Sequence, residues 1–311
     1  MFTRRQALSL AVLALPTAHL GSSTTKGSRV SRVFFYSPHP DDETLSAGLA
    51  LVYYIASGCE VHLVSMNNGG AAGVANTLNG TAACTTPADH PYTHSPGREG
   101  YPPLTVPDVS AARILEARGA LGTMAMVPPT TPGVVGNVFH HVADLPDGFG
   151  SGQTSSSTVP PTPEGIAAAK GVIQSYIDAY PNSFHFTMSE SDKHPDHAAC
   201  GYALRELKND TQYGPSLVNA KFFVSRLYWA ISQPNGQYPP EVLDAANGTL
   251  AWFPAGARYG EYCDWLRNQV IKPYKAWNPA AGAYAMGYHQ VASQFNNNFG
   301  PSASIANLWH A

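Results

Sequence analysis

Apolar residues come in short runs separated by polar turns. Val33-Phe34-Phe35-Tyr36 is an unbroken apolar run of strand length, the pattern of a strand covered on both faces. After it, Leu45, Leu49, Val52 and Ile55 fall on one helical face. Residues 60–66 read as a second strand running into the turn cluster Asn67-Asn68-Gly69-Gly70. Strand, helix and strand joined by short connections make a βαβ unit, with parallel pairing and a right-handed crossover. Residues 71–107 show no periodicity, and a loop this long reads as a lid over a site. A helix is predicted over 108–122 and a short third strand over 124–127. A Gly/Ser/Thr/Pro-rich surface loop follows over 150–163. Pro163-Glu164 opens a helix whose buried face is Ile166, Ile173 and Ile177, and Pro181 ends it. Then come a strand over 184–188, a helix over 198–208, an aromatic strand over 221–230 and a helix over 261–271. Alternating strands and helices predict an α/β protein with a Rossmann-like, mostly parallel sheet flanked by helices.

Two polar clusters stand where strands give way to helices. Ser37-Pro38-His39-Pro40-Asp41-Asp42-Glu43 follows the first strand, and His194-Pro195-Asp196-His197 follows the strand at 184–188. Open α/β sheets bind ligands at the carboxyl ends of their strands. Pro40 suits the first helical position and fixes the turn. His39 and Asp42, three apart, can converge on one point, while Asp41 points elsewhere. Two imidazoles and a carboxylate make a catalytic zinc set with one position left open. Either cluster alone fits turn histidines capping a helix; the pair, on matching strand ends, argues for chemistry.

These two clusters resemble the signature motifs of the PIG-L (LmbE-like) zinc deacetylases, with the order of elements similar over roughly residues 30–300. The resemblance implies Zn2+ held by His39, Asp42 and His197. It makes Asp41 the general base, His194 the stabiliser of a developing oxyanion and Asp196 the group that orients a ring. Asp144-Leu145-Pro146-Asp147-Gly148 is similar to the family's Leu-Pro-Asp-Gly segment, which would put Asp147 at the substrate pocket; the other reading is a turn residue before Gly148. Arg113 and Glu116 match residues of the family's equivalent helix; otherwise they are a surface ion pair of little weight. The Asn67–Gly70 cluster would wall the pocket. His289 resembles part of a C-terminal element, at a longer spacing to Ser293. Some members carry a tyrosine where this chain has Asp192, and that carboxylate would favour a protonated His194.

Composition narrows the rest. Of 311 residues, 44% are hydrophobic, ample for a core, and only 13% are charged, low against the usual quarter. A net charge of −3 gives no reason to expect nucleic acid or an anionic membrane as partner. Thr3-Arg4-Arg5-Gln6-Ala7-Leu8 and the apolar run after it resemble a twin-arginine export signal. Residues 1–25 are set aside as that signal and 26–311 read as one domain, secreted and without stable membrane insertion. Cys59, Cys84, Cys200 and Cys263 contain no C-x-x-C pair; in an exported protein one or two disulfides are expected, the alternative being buried thiols. His90 and His94 read as exposed loop histidines rather than ligands. The expected reaction is removal of an acetyl group from an N-acetylated amino sugar, on a glycoside or glycoconjugate. The contrasting reading is a carbohydrate-binding protein that kept fold and metal but lost turnover; Asp41 counts against it. A serine hydrolase lacks its G-x-S-x-G elbow.

Overall fold

The computed structural model describes residues 31–71, 73–84, 92–134, 136–152, 159–223 and 259–299. The export segment, His90 and most of the strand expected over 221–230 lie outside the described residues. Five parallel strands form the central sheet: β1 (Arg32–Ser37), β2 (Glu60–Asn67), β3 (Val138–Leu145), β4 (Phe184–Met188) and β5 (Lys221–Phe223), in the order β3-β2-β1-β4-β5. This is the α/β, Rossmann-like sheet the alternating pattern predicts.

β1 is central because both of its faces are apolar. Val33 and Phe35 join a core on one side with α2 (Gly48–Ala56), the end of α5 (Val106–Met124) and α8 (Tyr259–Trp265). Phe34 and Tyr36 join the opposite core with α6 (Pro163–Ala179) and α7 (Pro195–Asn209). The chain leaves β1 towards β2 and β3, then returns to lay β4 on its other side. The strand order reverses there, and at such a switch point the strand ends part to leave a crevice. Both polar clusters emerge from it.

Four expectations change. The helix after the first cluster is two pieces, α1 (Asp42–Leu45) and α2, because the N–H groups of Ser46 and Ala47 both turn back to the carbonyl of Asp42. Residues 124–127 are not a strand: Met124 closes α5, and Met126 and Val127 bond back into its last turn. The third strand is β3, an edge strand whose Phe139 and Val142 are exposed and whose polar residues broke its apolar pattern. Residues 71–107 are not structureless. They hold α3 (Val74–Leu78), α4 (Pro96–Glu99) and a bridge between Cys84 and Tyr92, and they pack Val74, Leu78, Tyr101 and Leu104 on Val109, Tyr284 and Met286. Finally, none of the four cysteines forms a disulfide; all are buried. Cys59 and Cys263 lie in the core on one sheet face and Cys200 in the core on the other, so the sheet separates them. Among the described residues no helix is long and apolar enough to cross a membrane.

Candidate metal centre and active site

The crevice between β1 and β4 is lined by the two clusters, and the backbone aims them. Pro195 opens α7 with His194 as its cap: the His194 ring accepts the N–H of Asp196 through Nδ1 at 3.3 Å. That leaves the proton of a neutral ring on Nε2. At the other cluster Asp41 adopts φ 132°, ψ −27°, a conformation costly for any residue with a side chain. The surroundings hold it there. Its N–H bonds Glu43 Oε2 at 2.9 Å, Arg113 Nη2 bonds its Oδ2 at 2.9 Å, and the same nitrogen bonds the Pro40 carbonyl at 2.8 Å.

Three donor atoms converge. His39 Nδ1 lies 3.2 Å from Asp42 Oδ2 and 3.1 Å from His197 Nε2, and those two are 3.0 Å apart. The far nitrogen of each imidazole faces a carboxylate: His39 Nε2 is 3.0 Å from Asp196 Oδ2, and His197 Nδ1 is 3.3 Å from Asp192 Oδ1. A ring that gives its outer proton to a carboxylate turns a lone pair inward. Two inward lone pairs and a carboxylate oxygen then share one point, which calls for a cation. Donors about 3.4 Å apart are what bonds of about 2.1 Å to one tetrahedral ion produce, and slightly shorter spacings suit bonds nearer 2.0 Å. Burial works against a charged His39, but its bonds to Asp196 and Asp42 outweigh that and lift it to about 9. His197 is likewise raised against burial by Asp42 and Asp192. A metal would displace these protons.

The predicted set is therefore brought together, with Asp196 orienting His39. Asp196 is fully buried and also accepts the N–H groups of Gly148 at 3.1 Å and Gly150 at 2.6 Å. Gly150 allows that approach: a Cβ there would sit 2.4 Å from the Pro195 backbone. Asp147 reaches the rim, with Oδ1 3.9 Å from His39 Nε2 and Oδ2 accepting the Ala71 N–H at 3.0 Å. The Asn67–Gly70 turn does wall the crevice, through Asn67 Nδ2 3.4 Å from Asp196 and the Gly69 carbonyl 3.3 Å from Arg113 Nη1.

Asp192 and His194 depart from expectation. Asp192 faces His197 Nδ1 and accepts the His194 backbone N–H. Burial first, then the neighbouring His39 and His197, push His194 far below the usual imidazole range. The ring is neutral, not cationic. It stands edge-on to His39 with centroids 4.5 Å apart, and one of its nitrogens lies within 4.8 Å of ligand atoms of His39 and His197.

Three more buried groups frame the site. Arg113 and Glu116 are buried, not a surface pair: Arg113 grips Asp41, while Glu116 accepts the N–H groups of Met286 at 2.6 Å and Gly287 at 2.8 Å. Glu43, also buried, accepts from the Tyr274 hydroxyl. Asp41 itself is raised to about 6, mainly by burial, with Arg113 restraining the rise.

A family profile described as PIG-L, GlcNAc-PI de-N-acetylase, matches residues 34–208, more than half of the chain and both clusters. The chain belongs to the PIG-L family. PIG-L proteins are metal-dependent deacetylases, and the convergent donor set suits one here. Solved structures similar to this PIG-L chain include N,N'-diacetylchitobiose deacetylase from Pyrococcus horikoshii, 15% identical with a TM-score of 0.35, covering 57% of this chain and 49% of that one. The chain thus spans about half the length of that protein. A zinc-inhibited form of teicoplanin deacetylase is 18% identical with a TM-score of 0.41, covering 67% and 73%. A 4-carboxy-2-hydroxymuconate hydratase from Pseudomonas putida is 14% identical with a TM-score of 0.40, covering 88% and 92%. No curated protein matches the chain. Likenesses this distant leave the substrate to be argued from the site.

Proposed function

We propose that this PIG-L protein is a zinc-dependent hydrolase that removes the acetyl group from an N-acetylated amino sugar on a glycoside or glycoconjugate. The observation that carries it is the convergence of His39, Asp42 and His197 beside a buried carboxylate, Asp41, which burial raises to about 6. When bound, the ion supplies a Lewis acid that polarises the acetyl carbonyl and acidifies water. The protein residues do the rest. Arg113 occupies Oδ2 of Asp41, so Oδ1 is the oxygen to take a proton from the attacking water. As the C–N bond breaks, Asp41 returns that proton to the amine, leaving acetate and a free amino sugar. His194 offers its Nε2 proton to the carbonyl oxygen as charge gathers there. The twin-arginine-like segment and the run after it support a place of action outside the cytoplasm.

Acetate release from N-acetylglucosamine derivatives tests the reading. Wild-type protein loaded with Zn2+ should release acetate, and the stripped protein should not. Asp41→Asn should keep metal and fold while losing about 10²–10⁴-fold in rate. Sugar binding without acetate release across the set would leave a binding protein instead.

A further inference from the structure

A second cluster of ligating side chains lies outside the crevice. Cys84, His94 and His289 each offer a ligand atom, and the three atoms lie within 4.8 Å of one another. Cys84 is placed by its bridge to Tyr92, with backbone bonds of 2.7 and 3.1 Å. His94 follows two residues later, and His289 comes from α10 (Met286–Phe299), the helix after α9 (Lys272–Lys275).

The two rings are held alike. His94 Nδ1 is 2.8 Å from Glu99 Oε2, and His289 Nδ1 is 2.8 Å from the Ala285 carbonyl. Both acceptors take a ring proton, which leaves Nε2 of each imidazole with its lone pair. Metal-ligating histidines are oriented in this way, by a carboxylate or a carbonyl behind the ring. His94 is 4% exposed, yet among the described residues its Nε2 has no hydrogen-bond partner. Leaving a buried ring nitrogen so costs free energy unless something occupies it. Bonds of about 2.0–2.3 Å to one ion would bring the donors about 1–1.5 Å inside their outer limit of 4.8 Å here. The cluster borders a cavity of about 300 Å³ lined by Tyr92, Trp277, Lys275 and Tyr288, which leaves room for a further ligand.

We propose that Cys84, His94 and His289 form a second metal site, separate from the His39–Asp42–His197 centre, for a thiophilic ion of the Zn2+ class. One thiolate and two imidazoles select zinc or copper over hard cations. The ion fastens the segment carrying Cys84 and His94 onto the C-terminal helix.

Cobalt tests it, because the crevice centre contains no sulfur. Co2+-loaded full-length protein should show a thiolate-to-cobalt charge-transfer band, and Zn2+ analysis should find a second equivalent. Cys84→Ala and His289→Gln should each lose the band and that equivalent, keep the other, and lose part of the Zn2+-dependent rise in melting temperature. His197→Ala should keep the band. Wild-type protein that binds a single equivalent without a sulfur band overturns the proposal, even if a variant fails to fold. So does a band that survives Cys84→Ala, which would belong to another thiol.

Discussion

Arg113 decides what Asp41 can do. Burial lifts the Asp41 carboxyl to about 6, and the guanidinium at 2.9 Å limits the rise. A base works only when ionised, so activity should fall as pH drops through that value. Arg113→Gln removes the restraining cation; the acidic limb of kcat/KM should move to higher pH, with about tenfold lost below it for each unit moved. A limb that stays in place, with normal metal content, would separate Arg113 from the base. His194 makes a different prediction. Its ring is neutral and caps α7 through Nδ1, so its Nε2 proton is present across the working range. His194→Ala should lower kcat about 10²–10³-fold with little change in KM, as for other lost oxyanion donors. The basic limb of the wild-type profile should not belong to it. Loss of metal along with activity in that variant would instead make His194 a ligand.

At the scale of elements, β1 and β4 carry the site on an apolar foundation with one weak point. His185 in β4 is buried, stacked on Tyr36 and Phe34, with Nδ1 2.9 Å from the Tyr36 hydroxyl. Burial lowers it to about 4. Between about 4 and the usual 6.5 the unfolded chain binds a proton that the folded chain refuses, so stability rises with pH there and is lost on acidification. The gap corresponds to at most about 3 kcal/mol. Urea midpoints at neutral and mildly acid pH should therefore diverge less in His185→Phe than in wild type; equal divergence would refute the assignment. A continuous apolar run made β1 readable, apolar-rich segments between turn signals made β2 and β4 so, and Pro163 marked the start of α6. β3 was not, because an edge strand is half solvated and its residues need not be apolar. The α5 boundary was misread because Met124–Val127 is apolar for helix packing, and composition alone does not separate that from a strand.

Across the whole molecule, the C-terminal part is bound into the active-site framework. The Tyr274 hydroxyl donates to Glu43, which burial raises to about 7, and Glu116 holds the first turn of α10. Tyr274→Phe keeps the ring packed on Phe295 but removes the donor. It should cost about 1–3 kcal/mol, the penalty for a buried polar group left short of its bond. A lower denaturation midpoint reads this directly, and an unchanged midpoint would show that Glu43 finds its bonds elsewhere. The sequence by itself determined the strand–helix alternation, the two His-Pro-Asp turns and the family. Local runs and fixed spacings create these, and a chain carries them whatever it packs against. Only the tertiary structure decided which carboxylate serves which ring. Asp196 backs His39 across 157 positions, Asp192 backs His197, and His194 is neutral. The His39–Asp196 pairing depends on the approach of segments remote in the chain, and the other two on burial and the turn geometry around α7, which no spacing encodes.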